Sequence, residues 1–286
     1  MFPAGRPELR TRYLDLPSGI RVRAVVCGDE SDPPILMLPG WGCSVYVFRE
    51  NLAPLAAAGF YAIAVDLKGH GLSDKPQSPE DYRIESMIRH VVEIIDAIGA
   101  DKVALTGLSM GAALAAHVAW ANPEHVRAVV MVSPVGFMGA PGLRAIRFLT
   151  PRWITPFLPR LATRTLIRMI LWVVNGKLRH ITPRDVDEYW APTQFPEFTA
   201  AMRHLLHEFT WRAPFEPLAV PCLLVSGTKD HLTPRSGAHS YRRAMPDLEH
   251  IEVEDAGHVV YDEAASVVNE AMVDFFRHPP PTKRIH

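Results

Sequence analysis

A serine, an aspartate and a histidine follow one another along the chain, each on a short glycine-containing segment after an apolar run. They are Ser109 in Gly107-Leu108-Ser109-Met110-Gly111, Asp230 in Gly227-Thr228-Lys229-Asp230, and His258 in Asp255-Ala256-Gly257-His258. A serine hydroxyl is a poor nucleophile near neutral pH. It needs a base within hydrogen-bond reach, and the base needs a partner that fixes its tautomer. Ser109, His258 and Asp230 are the candidates for these three parts. Attack on a carbonyl also develops an oxyanion, which two backbone N–H groups must already face. Met110, the residue after the serine, is one expected donor. Trp41, in Pro39-Gly40-Trp41-Gly42 after the apolar run Ile35–Leu38, is the other.

The stretch Val103–Ala113 singles out Ser109 among the serines. An apolar strand that becomes a helix in one step holds its middle residue in a strained backbone conformation. Gly107 and Gly111 let the two arms approach, and Ala112, Ala113, Ala115 and Ala116 let the helix pack tightly on a sheet. The helix N-terminus then favours a developing negative charge. A glycine-rich strand–helix turn can also carry a serine with no chemical role, so the pentapeptide counts only with its context. Asp230 has an alternative reading as a turn or helix-cap aspartate, because Thr233-Pro234 follows. Asp255 is a rival partner for the histidine, but it stands three residues from His258 and would have to fold back. The loop Ser133-Pro134-Val135-Gly136 offers no acid. His204, His207 and Glu208 share a helix with no third ligand at suitable spacing, so no metal site is expected there. The chemistry requires neither a metal nor a cofactor.

The elements that must position these residues alternate. Strands are expected at Tyr13–Asp15, Ile20–Val26, Ile35–Leu38, Tyr61–Val65, before Gly107, and at Ala128–Val132, Cys222–Ser226 and Glu249–Val253. Helices are expected around Tyr46–Ala58, Arg83–Ile98, after Ser109, and at Arg235–Met245 and Ala264–Phe276. Such alternation predicts a mostly parallel sheet with helices on both faces and a ligand site beyond the carboxyl ends of the strands. Residues 136–213 break the pattern with helix signals interrupted by prolines. They predict a helical cap inserted between core segments 1–135 and 214–286. Phe137, Met138, Trp172, Tyr189, Trp190 and Phe195 are candidate pocket-lining residues from this insert, with Val259 beside His258. Ten arginines and Lys177 face five acids there. Solvated helix faces account for most such charge; an anionic substrate or a membrane surface is the alternative.

The chain has 286 residues and a net charge of −1, which argues against bulk electrostatic binding to nucleic acid. The first residues show no apolar signal region, and no apolar run is long enough to span a bilayer. Cys27, Cys43 and Cys222 fit neither a disulfide framework nor a zinc spacing, so a reducing cytoplasm is the expected home. Nothing in the sequence sets an oligomeric state.

Taken together, Pro-Gly-Trp-Gly, Asp66-Leu-Lys-Gly-His-Gly-Leu-Ser73, Gly-Leu-Ser109-Met-Gly, Gly-Thr-Lys-Asp230 and Gly-His258 resemble the α/β-hydrolase superfamily over nearly the whole chain. The resemblance implies an eight-stranded, mostly parallel sheet with a helical cap. It also implies a serine hydrolase that cleaves a small hydrophobic carboxylic ester or lactone through an acyl-enzyme. A C–C or amide hydrolase using the same triad, or a receptor-like protein on the same fold, are the alternatives. Pro39 and Lys68 depart from residues common in relatives, His and Arg respectively. Asp66 and Gly69–Ser73 are expected to shape a loop. A serine at the elbow, rather than an aspartate, argues against the haloalkane dehalogenase and epoxide hydrolase branches, whose chemistry needs an enzyme-bound carboxylate ester.

Overall fold

Short apolar runs bounded by glycine, proline and polar residues become inner strands covered on both faces, while the polar run Arg10–Asp15 forms an exposed edge strand. In the computed structural model, which describes residues 1–135, 147–148, 150–176, 180–210, 218–233, 235–245 and 248–280, these strands form one sheet. They are β1 (Arg10–Asp15), β2 (Arg21–Cys27), β3 (Pro34–Leu38), β4 (Tyr61–Val65), β5 (Val103–Leu108), β6 (Val126–Val132), β7 (Cys222–Gly227) and β8 (Glu249–Val253). The order is β1-β2-β4-β3-β5-β6-β7-β8. β2 runs antiparallel to both β1 and β4, and the remaining neighbours pair in parallel. The strand order reverses between β3 and β5. That switch point opens a crevice at the carboxyl edge, the usual ligand position on such a sheet.

Alternate residues of the inner strands feed two cores. Leu36 and Leu38 of β3 join α2 (Ile84–Ile98) and α3 (Met110–Ala121) on one face. Ile35 and Met37 join α1 (Leu52–Ala57) and a C-terminal helix, Ala265–Arg277, on the other. α2 buries Met87, Val91, Ile94 and Ile95 at helical spacing and stops at Gly99, whose φ of 76° is the left-handed conformation of a helix C-terminus. The helix expected around Tyr46–Ala58 is two pieces, a 3-10 turn Val45–Phe48 and then α1. Pro54 explains the break: it has no N–H for the Glu50 carbonyl, so one continuous helix cannot run through it.

Between β6 and β7 the described residues form helices and turns. They include α4 (Arg164–Val174), α5 (Pro183–Trp190) and α6 (Pro196–Glu208). Pro183 and Pro196, two of the prolines that interrupt the sequence pattern, open helices, where the missing N–H costs nothing. Phe198, Ala201, Met202 and Leu205 of α6 join the first core, which anchors this helical segment over the sheet. After β7 comes α7 (Arg235–Ala244), and the helix Ala265–Arg277 is α8.

Candidate active site

Ser109 follows the last residue of β5 and precedes the first residue of α3, with φ 54° and ψ −111°. For a non-glycine residue this is a strained conformation, held only where the surroundings over-determine it. Here the Ser109 N–H donates to the Val132 carbonyl at 2.9 Å, and its carbonyl accepts from Ala113 N–H at 3.2 Å. A Cβ on Gly107 would lie 2.5 Å from the Gly111 carbonyl carbon, and one on Gly111 would lie 2.2 Å from the Leu38 carbonyl oxygen. The two arms of the elbow therefore meet backbone to backbone, and the elbow also meets the end of β3. The loop after β3 runs beside the serine: a Cβ on Gly40 would stand 3.4 Å from the Ser109 Cβ. Trp41 in that loop donates its indole N–H to the Met202 carbonyl of α6 at 2.8 Å. Met110 opens α3, where the first N–H groups of a helix have no intrahelical acceptor.

Among the described residues, two further non-glycine residues have positive φ, Ser133 after β6 and Asp255 after β8. All three such residues lie just beyond the carboxyl ends of strands, so backbone strain gathers at the edge where the loops meet.

His258 and Asp230 are bonded there. His258 Nδ1 lies 2.9 Å from Asp230 Oδ2, and both side chains are buried. Asp230 also organises its own turn: Oδ1 accepts the Leu232 and Thr233 N–H groups at 2.9 and 2.8 Å, and the Thr233 hydroxyl donates to Oδ2. Asp230 thus both caps its own turn and hydrogen-bonds the His258 ring. Burial alone would raise its carboxyl pKa. The charge of His258, with hydrogen bonds from His258 and Thr233, outweighs burial and holds it below the ordinary range. With Nδ1 bound to the carboxylate, Nε2 is the ring nitrogen left to serve a hydroxyl. Thr233 Oγ1 also reaches the Ser133 carbonyl at 3.5 Å, which ties the Asp230 turn to the loop after β6. Asp255, the rival acid, instead donates its backbone N–H to the Thr228 hydroxyl oxygen at 3.0 Å.

Sequence reasoning missed Glu263. Its buried carboxylate accepts the N–H groups of Gly176 at 2.6 Å, Gly257 at 3.0 Å and Val259 at 3.2 Å. The His258 N–H donates to the Val174 carbonyl at 2.8 Å. The end of α4 is therefore stitched to the histidine loop. The only trace in the sequence is a glycine on each side.

The candidate pocket residues are dispersed. Trp172 is exposed and, with Gly176, Ile181, Lys229 and His231, lines a cleft of about 520 Å³ beside the Asp230 turn. Tyr189 packs edge-on against Tyr46, ring centroids 6.2 Å apart. Trp190 donates to the Ala162 carbonyl at 2.9 Å and stacks under the Arg164 guanidinium. Phe195 precedes α6 and is exposed, whereas Val259 is buried in the second core. Phe137 and Met138 lie outside the described residues. His204 stacks on Tyr82, and His207 approaches Thr150 at 3.3 Å. Asp66 is a buried loop organiser: it accepts the Val45 and Leu72 N–H groups at 2.8 and 2.9 Å and pairs with Arg23 at 3.2 Å.

The family model for the alpha/beta hydrolase fold matches residues 33–265, and the chain belongs to that family. It is 24% identical over 282 residues to the AB hydrolase superfamily protein YfhM of Bacillus subtilis, covering 91% of this chain and 96% of that one. It is 26% identical over 303 residues to epoxide hydrolase 1 of Siraitia grosvenorii, covering 91% of this chain and 96% of that one. Among solved structures, a serine hydrolase involved in carbazole degradation (CarC enzyme) superposes with a TM-score of 0.79 at 21% identity, over 94% of this chain and 99% of that one. Fold, family and relatives place the chain among hydrolases. Among the described residues, no helix is long and apolar enough to cross a membrane.

Proposed function

We propose that the protein is a serine hydrolase of carboxylic esters or lactones, with Ser109 as nucleophile, His258 as base and Asp230 as its orienting partner. The observation that carries this reading is the buried His258–Asp230 hydrogen bond at the sheet edge where Ser109 occupies a strained elbow. Ser109 Oγ attacks the carbonyl carbon and passes its proton to His258 Nε2. Asp230 stabilises the imidazolium so formed. The N–H groups of Met110 and Trp41 receive the oxyanion; one such donor contributes about 3 kcal/mol in related chemistry. Collapse of the intermediate expels the alcohol, which takes the proton from Nε2. Water then attacks the acyl-serine with His258 again as base, and the acid leaves. The helical segment over the site acts as a cap that excludes water and shapes an apolar pocket.

A relative named an epoxide hydrolase favours a second reading, in which the bond cleaved is an epoxide C–O. Ring opening through an enzyme ester needs a carboxylate nucleophile, and the elbow position here holds a hydroxyl. A panel of p-nitrophenyl esters, lactones and epoxides tests the choice. The expected result is turnover of esters or lactones that the Ser109→Ala variant loses while keeping its fold. Epoxide turnover that survives this substitution would overturn the proposal.

A further inference from the structure

α4 presents an apolar stripe to solvent. Leu166, Met169, Ile170 and Val173 recur at the three-and-four spacing of one helix face, and all four are exposed, Met169 and Val173 at 60% and 59%. Trp172 stands beside them at 76%, while Leu171 is the helix's buried residue. Trp153, 71% exposed, and Phe157 are further exposed aromatic residues on the segment before α4. Single exposed apolar residues need no explanation, but a stripe along one helix face with a tryptophan beside it does.

The charge on this stretch is mainly basic. Arg160, Arg164 and Arg168 are exposed, and the sequence from 126 to 184 contains no aspartate or glutamate. Arg164 pairs with Asp187 of α5 at 2.7 Å, which leaves Arg160 and Arg168 as the charges beside the apolar stripe. A second copy docking through the same face would oppose these two arginines with their own copies, which disfavours a symmetric dimer. The complement of this surface is apolar inside and anionic at its rim. An amphipathic helix with arginines and tryptophan lies in the headgroup region of a bilayer for these reasons.

We infer that α4 and the segment before it form a docking face for an anionic lipid surface. The helix lies on that surface without crossing it. Its C-terminal end is stitched to the His258 loop through Val174 and Gly176, so docking brings the candidate active-site edge to the membrane. This inference goes beyond the ester reading and holds whichever bond the site cleaves.

Co-sedimentation with vesicles tests it, using phosphatidylcholine alone and phosphatidylcholine mixed with phosphatidylglycerol. The intact protein is expected to bind the phosphatidylglycerol vesicles at least about tenfold more tightly, and to release as salt rises. A Leu166→Glu/Met169→Glu variant should lose binding to both, with an unchanged melting temperature and an unchanged rate on a short soluble ester. An Arg160→Gln/Arg168→Gln variant should lose the preference for phosphatidylglycerol, and it tests the charge even if the first variant misfolds. Absence of vesicle binding at low salt, or binding that both variants retain, would overturn the inference. So would a dimer in light scattering that the Leu166→Glu/Met169→Glu variant dissolves, because the face would then belong to a second copy.

Discussion

Gly176 and Gly257 touch through their backbones: a Cβ on Gly257 would lie 2.2 Å from the Gly176 nitrogen, and one on Gly176 would lie 2.4 Å from the Asp255 carbonyl oxygen. The residues just after α4 thus pack on the loop that carries His258. Since the His258 N–H also bonds the Val174 carbonyl, a shift of α4 is passed directly to the histidine.

Gly257→Ala follows from this contact. The new methyl meets backbone on the opposing segment, which cannot rotate away as a side chain would. The substitution should cost about 1–3 kcal/mol of stability and lower kcat by displacing His258. Urea unfolding and ester kinetics measure the two effects. A variant as stable and active as the parent would refute the contact.

Glu263→Gln tests the anchor beneath the same loop. The carboxylate accepts three N–H groups with both oxygens. An amide keeps one accepting oxygen and turns a donor toward the remaining N–H partners. Hydrogen bonds to charged groups contribute about 1.5–3 kcal/mol each, so a melting-temperature drop is expected, with kcat falling more than KM changes. Unchanged stability would mean that the carboxylate is dispensable.

Asp230→Asn separates the two tasks of this residue. The amide oxygen can still accept Leu232 and Thr233 N–H, so the turn survives. It cannot stabilise the imidazolium or hold the tautomer, and kcat should fall by about 10⁴-fold. The carboxyl pKa is lowered by folding. Its contribution to stability is therefore present above the unfolded value near 3.8 and is lost as pH falls through the lower folded value. The stability gap between parent and variant should shrink below pH 3.8. A constant gap across that range would contradict the assignment.

Two histidines away from the site set a different pH window. Burial lowers the pKa of His70 to about 4, and burial with the nearby Lys68 charge lowers that of His90. His90 Nε2 accepts the Lys68 N–H at 3.0 Å, a bond that protonation would break. Both rings are neutral in the fold and take up protons on unfolding. Their contribution is present above the unfolded value of 6.5 and is lost as pH falls below it, for His70 down to about 4. Stability should drop by up to about 1.4 kcal/mol per pH unit for each ring. Denaturant unfolding at several pH values measures the slope, and His70→Asn should flatten it. A parent protein equally stable at pH 7 and pH 5 would rule this out.

The inner strands were legible because they are short, mainly apolar runs bounded by turn residues, as in Ile35–Leu38 before Pro39-Gly40 and Val103–Leu108 before Ser109. The meeting of Asp230 and His258 was legible for the same reason, since strand ends on one edge of a parallel sheet converge. The helical segment was less so. Its helices answer to contacts between backbones, such as Gly176 on Gly257, and to single polar bridges, such as Trp41 to Met202. Neither leaves a periodic mark. Trp172 illustrates the difficulty: in sequence a tryptophan in an apolar stretch reads as lining, yet in the fold it is largely exposed at a cleft mouth.

The central claim is that Ser109 is an activated nucleophile. Reaction of the intact protein with a fluorophosphonate, followed by peptide mass mapping, measures this directly. One adduct on the peptide containing Ser109 is expected, with loss of ester hydrolysis in proportion to labelling and much slower labelling in a His258→Ala variant. An unlabelled Ser109 in a protein that still hydrolyses esters would contradict it.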